Sequence, residues 1–341
     1  MRSSGLRKIV TLPFSRKFSM QIEAASFSKY RDGIRNGDDV ILTVPGCVFA
    51  VFDGATDARG TVVNGVPAGR LAALTVAQST AEVMRDSANR RLPAEAIFER
   101  LSLALHNRTQ GGDFAIPPST TLALALDCDY EWRFLILGDS GIRLNGTDVL
   151  QPTKLIDKVS TSARVALFQH LRDQFGSDAL DEAEMATRRA IFLGLDQAVA
   201  ENRIPATLAA EIIQRATQAC NLADHADIVE SFLNSGICKQ YLFANSPGTV
   251  FGFDTMNGTA SCLGQWIDQT HPKKAIQSIE LFTDGYPTPP ETVCLADWQD
   301  TFIRMEVDDF HMLGDFAAVK GATSTEHHDD RSVVIIKGLN A

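Results

Sequence analysis

The chain has none of the short motifs that announce a covalent nucleophile or a bound nucleotide. Its 341 residues contain no Gly-x-Ser-x-Gly, no Walker loop, no HExxH and no cysteine–arginine phosphate loop. The absence excludes hydrolysis through a motif-borne serine, cysteine or helix-bound zinc. Six cysteines (Cys47, Cys128, Cys220, Cys238, Cys262 and Cys294) are scattered without CxxC or zinc-like spacing, so they read as reduced thiols of a cytoplasmic protein. No apolar run approaches the roughly 18 residues of a membrane span. Positive charge is scarce too: 32 Lys and Arg against 42 Asp and Glu leave a formal charge of −10. Without a concentrated basic patch, neither nucleic acid nor an anionic membrane is expected as the partner. Residues 1–19 hold Arg2, Arg7, Lys8, Arg16 and Lys17 around a short apolar stretch broken by Pro13. That stretch is too short for a signal peptide and reads as a basic leader or an edge strand.

The remaining composition is ordinary for a globular protein, 45% hydrophobic and 22% charged. Short strands are expected at 20–27, 40–44 and 48–52, with helices from Pro67 to Met84 and again after Pro93, where Ile97, Phe98, Leu101 and Leu105 make a helical stripe. Further strands are read at 119–126, 132–137, 142–144, 250–253, 279–283, 302–307 and 333–336. Between them, residues 153–245 are Ala-rich and charge-interleaved, the texture of helices. The expected architecture is α+β: a mostly antiparallel strand core spanning 20–338, packed helices and one helical insertion at 153–245.

Acidic residues end several of these strands. The apolar run Val48–Phe52 stops at Asp53-Gly54, Ile279–Thr283 stops at Asp284-Gly285, Trp132–Leu137 stops at Gly138-Asp139-Ser140, and Asp329-Asp330 precedes Val333–Ile336. Hard divalent cations such as Mg²⁺ and Mn²⁺ take oxygen ligands, largely carboxylates and water. A glycine after the acid lets a backbone carbonyl approach an ion. Paired ions of this kind make water nucleophilic near neutral pH and stabilise charge on a phosphate ester. Asp139 fits a tight turn as well as it fits an ion ligand.

The segments FAVFDG (49–54), PSTTLALAL (118–126), LILGDSGIRL (135–144), IELFTDGY (279–286) and DDRSVVII (329–336) resemble, in order, those of the metal-dependent Ser/Thr protein phosphatases of type 2C, the PPM family. The resemblance implies a β-sandwich flanked by helices with a bimetal Mg²⁺/Mn²⁺ centre at one end. It implies Asp53 bridging the two ions, Gly54 binding through its carbonyl, Asp284 and Asp329 completing the pair, and Asp139 with Asp284 holding a third, weaker ion. Asp38 or Asp39 matches the family's early acidic pair. The phosphate-binding arginine of the family falls on Ile34 or Gly33, leaving Arg35 or Arg31 as its substitute. The loop after Asp53-Gly54 reads Ala55-Thr-Asp-Ala-Arg59, without the histidine of some members, and residues 146–279 exceed the usual flap.

The expected function is therefore dephosphorylation of phosphoserine or phosphothreonine in proteins, by water activated between two metal ions. Alternatives are a catalytically silent binding or regulatory module and a small-molecule phosphatase on the same scaffold. The insertion is open to three roles: inert elaboration, lid or platform for a partner.

Overall fold

Asp53 owes its position to β-sheet register, which also brings the other strand-end acids to the same edge of the molecule. The computed structural model describes residues 20–57, 59–260 and 263–339. Segment 1–19, read as a leader or edge strand, and Cys262 lie outside the described residues.

Three strands come first, β1 (Gln21–Phe27), β2 (Val40–Val44) and β3 (Val48–Phe52), then a small ribbon of β4 (Val62–Val63) and β5 (Val66–Pro67). Helices α1 (Ala68–Met84) and α2 (Ala94–Thr109) lead into the meander β6 (Leu122–Cys128), β7 (Glu131–Leu137), β8 (Gly141–Leu144) and β9 (Asp148–Leu150). The insertion supplies α3 (Leu155–Phe175), α4 (Leu180–Leu193), α5 (Leu195–Ala200), α6 (Ala206–Ala219) and α7 (Ala226–Ser235). The chain finishes with β10 (Ile267–Pro272), β11 (Ser278–Phe282), α8 (Leu295–Asp308) and β12 (Arg331–Lys337).

One antiparallel sheet has the order β1-β12-β11-β8-β9 and the other β10-β7-β6-β3-β2. Strand alternation sends every second side chain between the sheets, where Phe49, Val51, Phe134, Ile142, Leu281 and Val334 pack together. The intervening residues face outward onto helices: Val48, Ala50 and Phe52 meet Val76 of α1 and Leu101 of α2, while Phe282, Val333 and Ile335 meet Trp298 and Phe302 of α8. Helices therefore cover both outer faces, which is why β3, β11 and β12 read as nearly continuous apolar runs. The molecule is an α+β protein with antiparallel sheets flanked by helices. No described helix is long and apolar enough to cross a membrane, and the described cysteines are free thiols.

Helices α3–α7 form a second core of their own, in which Phe168, Ile212, Phe232 and Phe251 are buried. Gly194 and Gly236 end α4 and α7 with φ of 97° and 78°. These left-handed values suit glycine. Two fully buried charges interrupt the apolar faces of α3 and α4. Arg164 donates to Glu184 Oε2 at 2.6 Å and to the carbonyls of His311 and Met312, and Glu184 Oε1 accepts from Gly321 N at 2.7 Å. Arg188 adds an ion pair with Glu326 at 2.7 Å. The network ties the segment 309–326 to the insertion.

Two of the expected strands are not strands. Residues 302–307 belong to α8, because Trp298, Phe302 and Met305 recur at helical spacing and bury one face. A six-residue window made Phe-Ile-Arg-Met-Glu-Val look like alternation. Residues 250–253 form turns, with Phe253 in an isolated bridge to Ala244.

Candidate metal centre

Antiparallel pairing places the start of one strand beside the end of its neighbour. Val40 lies opposite Phe52, Phe282 opposite Val333, Gly141 opposite Phe282 and Leu122 opposite Leu137. The residues just beyond these pairs share one end of the sandwich: Asp53 after β3, Asp139 after β7, Asp284 after β11, Asp329 and Asp330 before β12, and Asp38 and Asp39 before β2.

Asp53, Asp139 and Asp284 each offer an oxygen within 4.8 Å of the other two. Asp329 lines the same cavity of about 240 Å³. The Asp53 and Asp284 carboxyls lie close enough to shift each other's proton affinity. Burial, then the charges of Asp39, Asp329 and Asp139, push Asp53 well above the usual carboxylate range. Desolvation by the surrounding protein and the charges of Asp53, Asp139 and Asp329 push Asp284 the same way, and because the Asp284 residue is exposed the neighbouring carboxylates are the firmer cause. Asp329 departs in the other direction: burial raises it, but Lys320 and Lys29 outweigh burial and hold it at about 2.

Asp39 accepts from Thr283 Oγ1 at 2.7 Å, and its other oxygen is buried with no partner. One oxygen of Asp139 is also buried and unpartnered. Such atoms are costly unless something satisfies them. Crowded carboxylates with orphaned oxygens are the donor set that a hard divalent cation takes, so the residues fit the Mg²⁺ or Mn²⁺ expected from sequence.

The other expected site residues have distinct surroundings. Gly54 sits where an added Cβ would lie 2.5 Å from Gly69 O and 2.8 Å from Asp38 O, so the close approach of α1 to β3 requires glycine there. Asp38 faces Lys29 and accepts from Thr56 Oγ1 at 3.0 Å, away from the Asp53 cluster. Asp330 accepts the backbone N–H groups of Lys29 at 2.7 Å and Asp38 at 2.9 Å, clamping the loop before β2 to the start of β12. Arg35 is not brought to the carboxylates; it pairs with Asp32 at 2.9 Å and lies over the Tyr30 ring at 3.7 Å on an exposed turn. Arg31 is occupied by Glu306 and Thr323 O. His327 and His328 both pack on Phe302, with His328 buried.

Lysines stand where arginine was expected. Lys154, just before α3, is 2.9 Å from Asp139 Oδ2, and Lys320 is 2.8 Å from Asp329 Oδ2. Lys29 donates to Thr56 Oγ1 at 2.7 Å and lies 3.5 Å from Asp330 Oδ2. Burial lowers the Lys29 ammonium's proton affinity, but Asp329, Asp330 and Asp38 raise it by more, so the group stays charged. A lone lysine has no spacing signature, so the sequence offered no signal for these three. The insertion also reaches the site, since Phe192, Ile237 and Gln240 line the carboxylate cavity.

Gly285 gives a test of this packing. A Cβ there would fall 1.9 Å from Asp330 O, so Gly285→Ala must push the Asp284 turn away from Asp329. Expected results are a loss of about 1–3 kcal/mol in urea unfolding and Mn²⁺ binding weakened about tenfold or more by calorimetry. A second test uses protons: burial and crowding raise the proton affinity of Asp53 and Asp284, so a cation that binds them competes with protons. Mn²⁺ affinity should therefore rise with pH, and calorimetric enthalpies should vary with the buffer's ionisation enthalpy. Buffer-independent enthalpies would argue against ligation by these two groups.

No family model matches the chain, and no curated protein matches it. Solved structures do match. The serine/threonine phosphatase PstP/Ppp of Mycobacterium tuberculosis is 15% identical, with 93% of this chain and 98% of that one covered at a TM-score of 0.44. The likeness is to bacterial Ser/Thr phosphatases. Stp1 of Staphylococcus aureus aligns at 10% identity over 93% of this chain and 95% of its own, TM-score 0.42. PppA of Pseudomonas aeruginosa, described as a key regulatory component of T6SS, aligns at 13% identity over 93% and 97%, TM-score 0.36. At such identities and scores the functional reading rests on the carboxylates, not on these likenesses.

Proposed function

We propose that the chain is a Mg²⁺- or Mn²⁺-dependent phosphomonoesterase that removes phosphate from phosphoserine or phosphothreonine in proteins. The observation that carries this reading is the convergence of Asp53, Asp139 and Asp284, from strand ends far apart in sequence, to within 4.8 Å of one another. Asp53, Asp284 and Asp329 would hold two ions, with Asp139 and Asp39 on their flanks. The ions supply a nucleophilic water and neutralise charge gathering on the phosphoryl oxygens. The protein's own groups do the rest. Thr283 holds Asp39 by the 2.7 Å bond, and Asp330 fixes the backbone of Lys29 and Asp38. Lys320, which lines the carboxylate cavity and pairs with Asp329 at 2.8 Å, would orient a phosphoryl group, whereas Arg35 pairs with Asp32 on an exposed turn. Free cysteines fit a reducing compartment.

A silent binding module is the second reading, favoured by Lys154 on Asp139 and Lys320 on Asp329. An aryl phosphate assay separates the two. Turnover should need Mn²⁺ or Mg²⁺, stop with chelator and return with added Mn²⁺. Mn²⁺ binding with no turnover of an aryl phosphate or any phosphopeptide would favour the module, and metal-free turnover would reject the mechanism.

A further inference from the structure

A second cavity opens beside the carboxylates, between α4 and the turn that follows Gly54. Its volume is about 1130 Å³, against about 240 Å³ for the carboxylate cavity. Thr56, Phe192, Ile237, Val319 and Lys320 line both, so the two spaces adjoin. The small cavity suits a phosphoryl group, whereas the large one exceeds the roughly 300–1,000 Å³ of sites for drug-sized ligands. A small phosphorylated metabolite would leave most of it unused.

The character of the large cavity points to its occupant. Apolar surface is available there: Met185 is 55% exposed and Phe175 44% exposed. Of the six basic side chains in the lining, Lys29, Lys320 and Arg188 pair with Asp330, Asp329 and Glu326, which leaves Arg59, Arg189 and Arg203. Arg189 and Arg203 both pair with the single carboxylate of Glu201, at 2.8 and 2.6 Å. Two guanidinium groups on one carboxylate leave positive charge over. Arg203 commits only its Nε to Glu201, so its terminal nitrogens are free to meet another acid.

We propose that this groove binds the polypeptide flanking the phosphorylated residue, taking an apolar side chain against Met185 and Phe175 and an acidic side chain against Arg189 and Arg203. The inference rests on the phosphatase reading and deepens it, making the helical insertion a determinant of substrate choice. It also distinguishes the substrate class: acidic phosphorylated segments of proteins rather than free metabolites.

The test compares two phosphothreonine peptides, one with glutamates flanking the phosphorylated residue and one with glutamines, for the wild type, the double variant Arg189→Gln/Arg203→Gln, and Met185→Asp. The wild type should prefer the acidic peptide in kcat/KM, chiefly through KM. The arginine variant should lose roughly five- to tenfold of that preference, and Met185→Asp should raise KM for both peptides. Fluorescence anisotropy of labelled acidic peptide should show the same weakening in Kd. An unchanged acidic-to-neutral ratio in the arginine variant would overturn the charge assignment, and an unchanged KM in Met185→Asp would overturn the groove. A wild type that hydrolyses neither peptide nor aryl phosphate overturns the phosphatase reading, and anisotropy then still reads the groove.

Discussion

Asp53→Asn should lower Mn²⁺-dependent turnover of an aryl phosphate by about three orders of magnitude or more, the scale seen when one element of preorganised charge stabilisation is removed, and Asp284→Asn should do the same. The same substitution should raise the melting temperature of the metal-free protein. In that form Asp53 is recessed among Asp39, Asp139 and Asp329, and its affinity for a proton is well above that of an unfolded aspartate. A carboxyl whose folded-state pKa is raised destabilises the fold as pH climbs from the ordinary carboxylate value through the raised one, and the full penalty applies above it. The stabilisation from Asp53→Asn should therefore be largest at neutral and alkaline pH and disappear in acid. Mn²⁺ should reverse the order, stabilising the wild type more than the variant. Loss of activity together with lower metal-free stability would point to a structural Asp53 instead.

Glu184→Ala should be the most damaging substitution away from the site. Arg164 and Glu184 are both fully buried, and Glu184 answers Arg164, Arg188 and the Gly321 amide at once. Removing it leaves the Arg164 guanidinium in the core of the insertion without its carboxylate, which costs about 3–5 kcal/mol. Urea unfolding measures the loss. Replacing both residues with Met should cost clearly less than Glu184→Ala, because no charge is left stranded. Equal losses in the two variants would mean that packing volume, not charge, is what the pair supplies.

Much of the scaffold was legible because its strands are buried on both faces. Val48–Phe52 and Ile279–Thr283 stand out as apolar runs that stop at Asp-Gly, so strand ends put Asp53 and Asp284 forward as candidates, and the register brings them to one end of the sandwich. The strand expected at 302–307 failed for a local reason, since four apolar residues in six positions do not distinguish period 2 from period 3.6 until Trp298 is counted. The family's arginine position falls on Ile34 or Gly33, and Arg35, its neighbouring substitute, sits on a turn that gives it Asp32 and Tyr30 as partners. Lys154 and Lys320 are brought to the acids by the docking of α3 and of segment 309–326, a tertiary event with no trace in spacing. Arg164 did leave a mark, a charge on the apolar stripe of α3 beside Ala163, Leu167 and Phe168, and a charge in that position calls for a buried partner.

The direct test of the carboxylate centre is anomalous diffraction from crystals of the protein grown with Mn²⁺. Two strong peaks are expected roughly 3.5–4 Å apart, one oxygen of Asp53 between them and Asp284 and Asp329 as further ligands. Peaks elsewhere, or none within reach of Asp53 and Asp284 at saturating Mn²⁺, would contradict it.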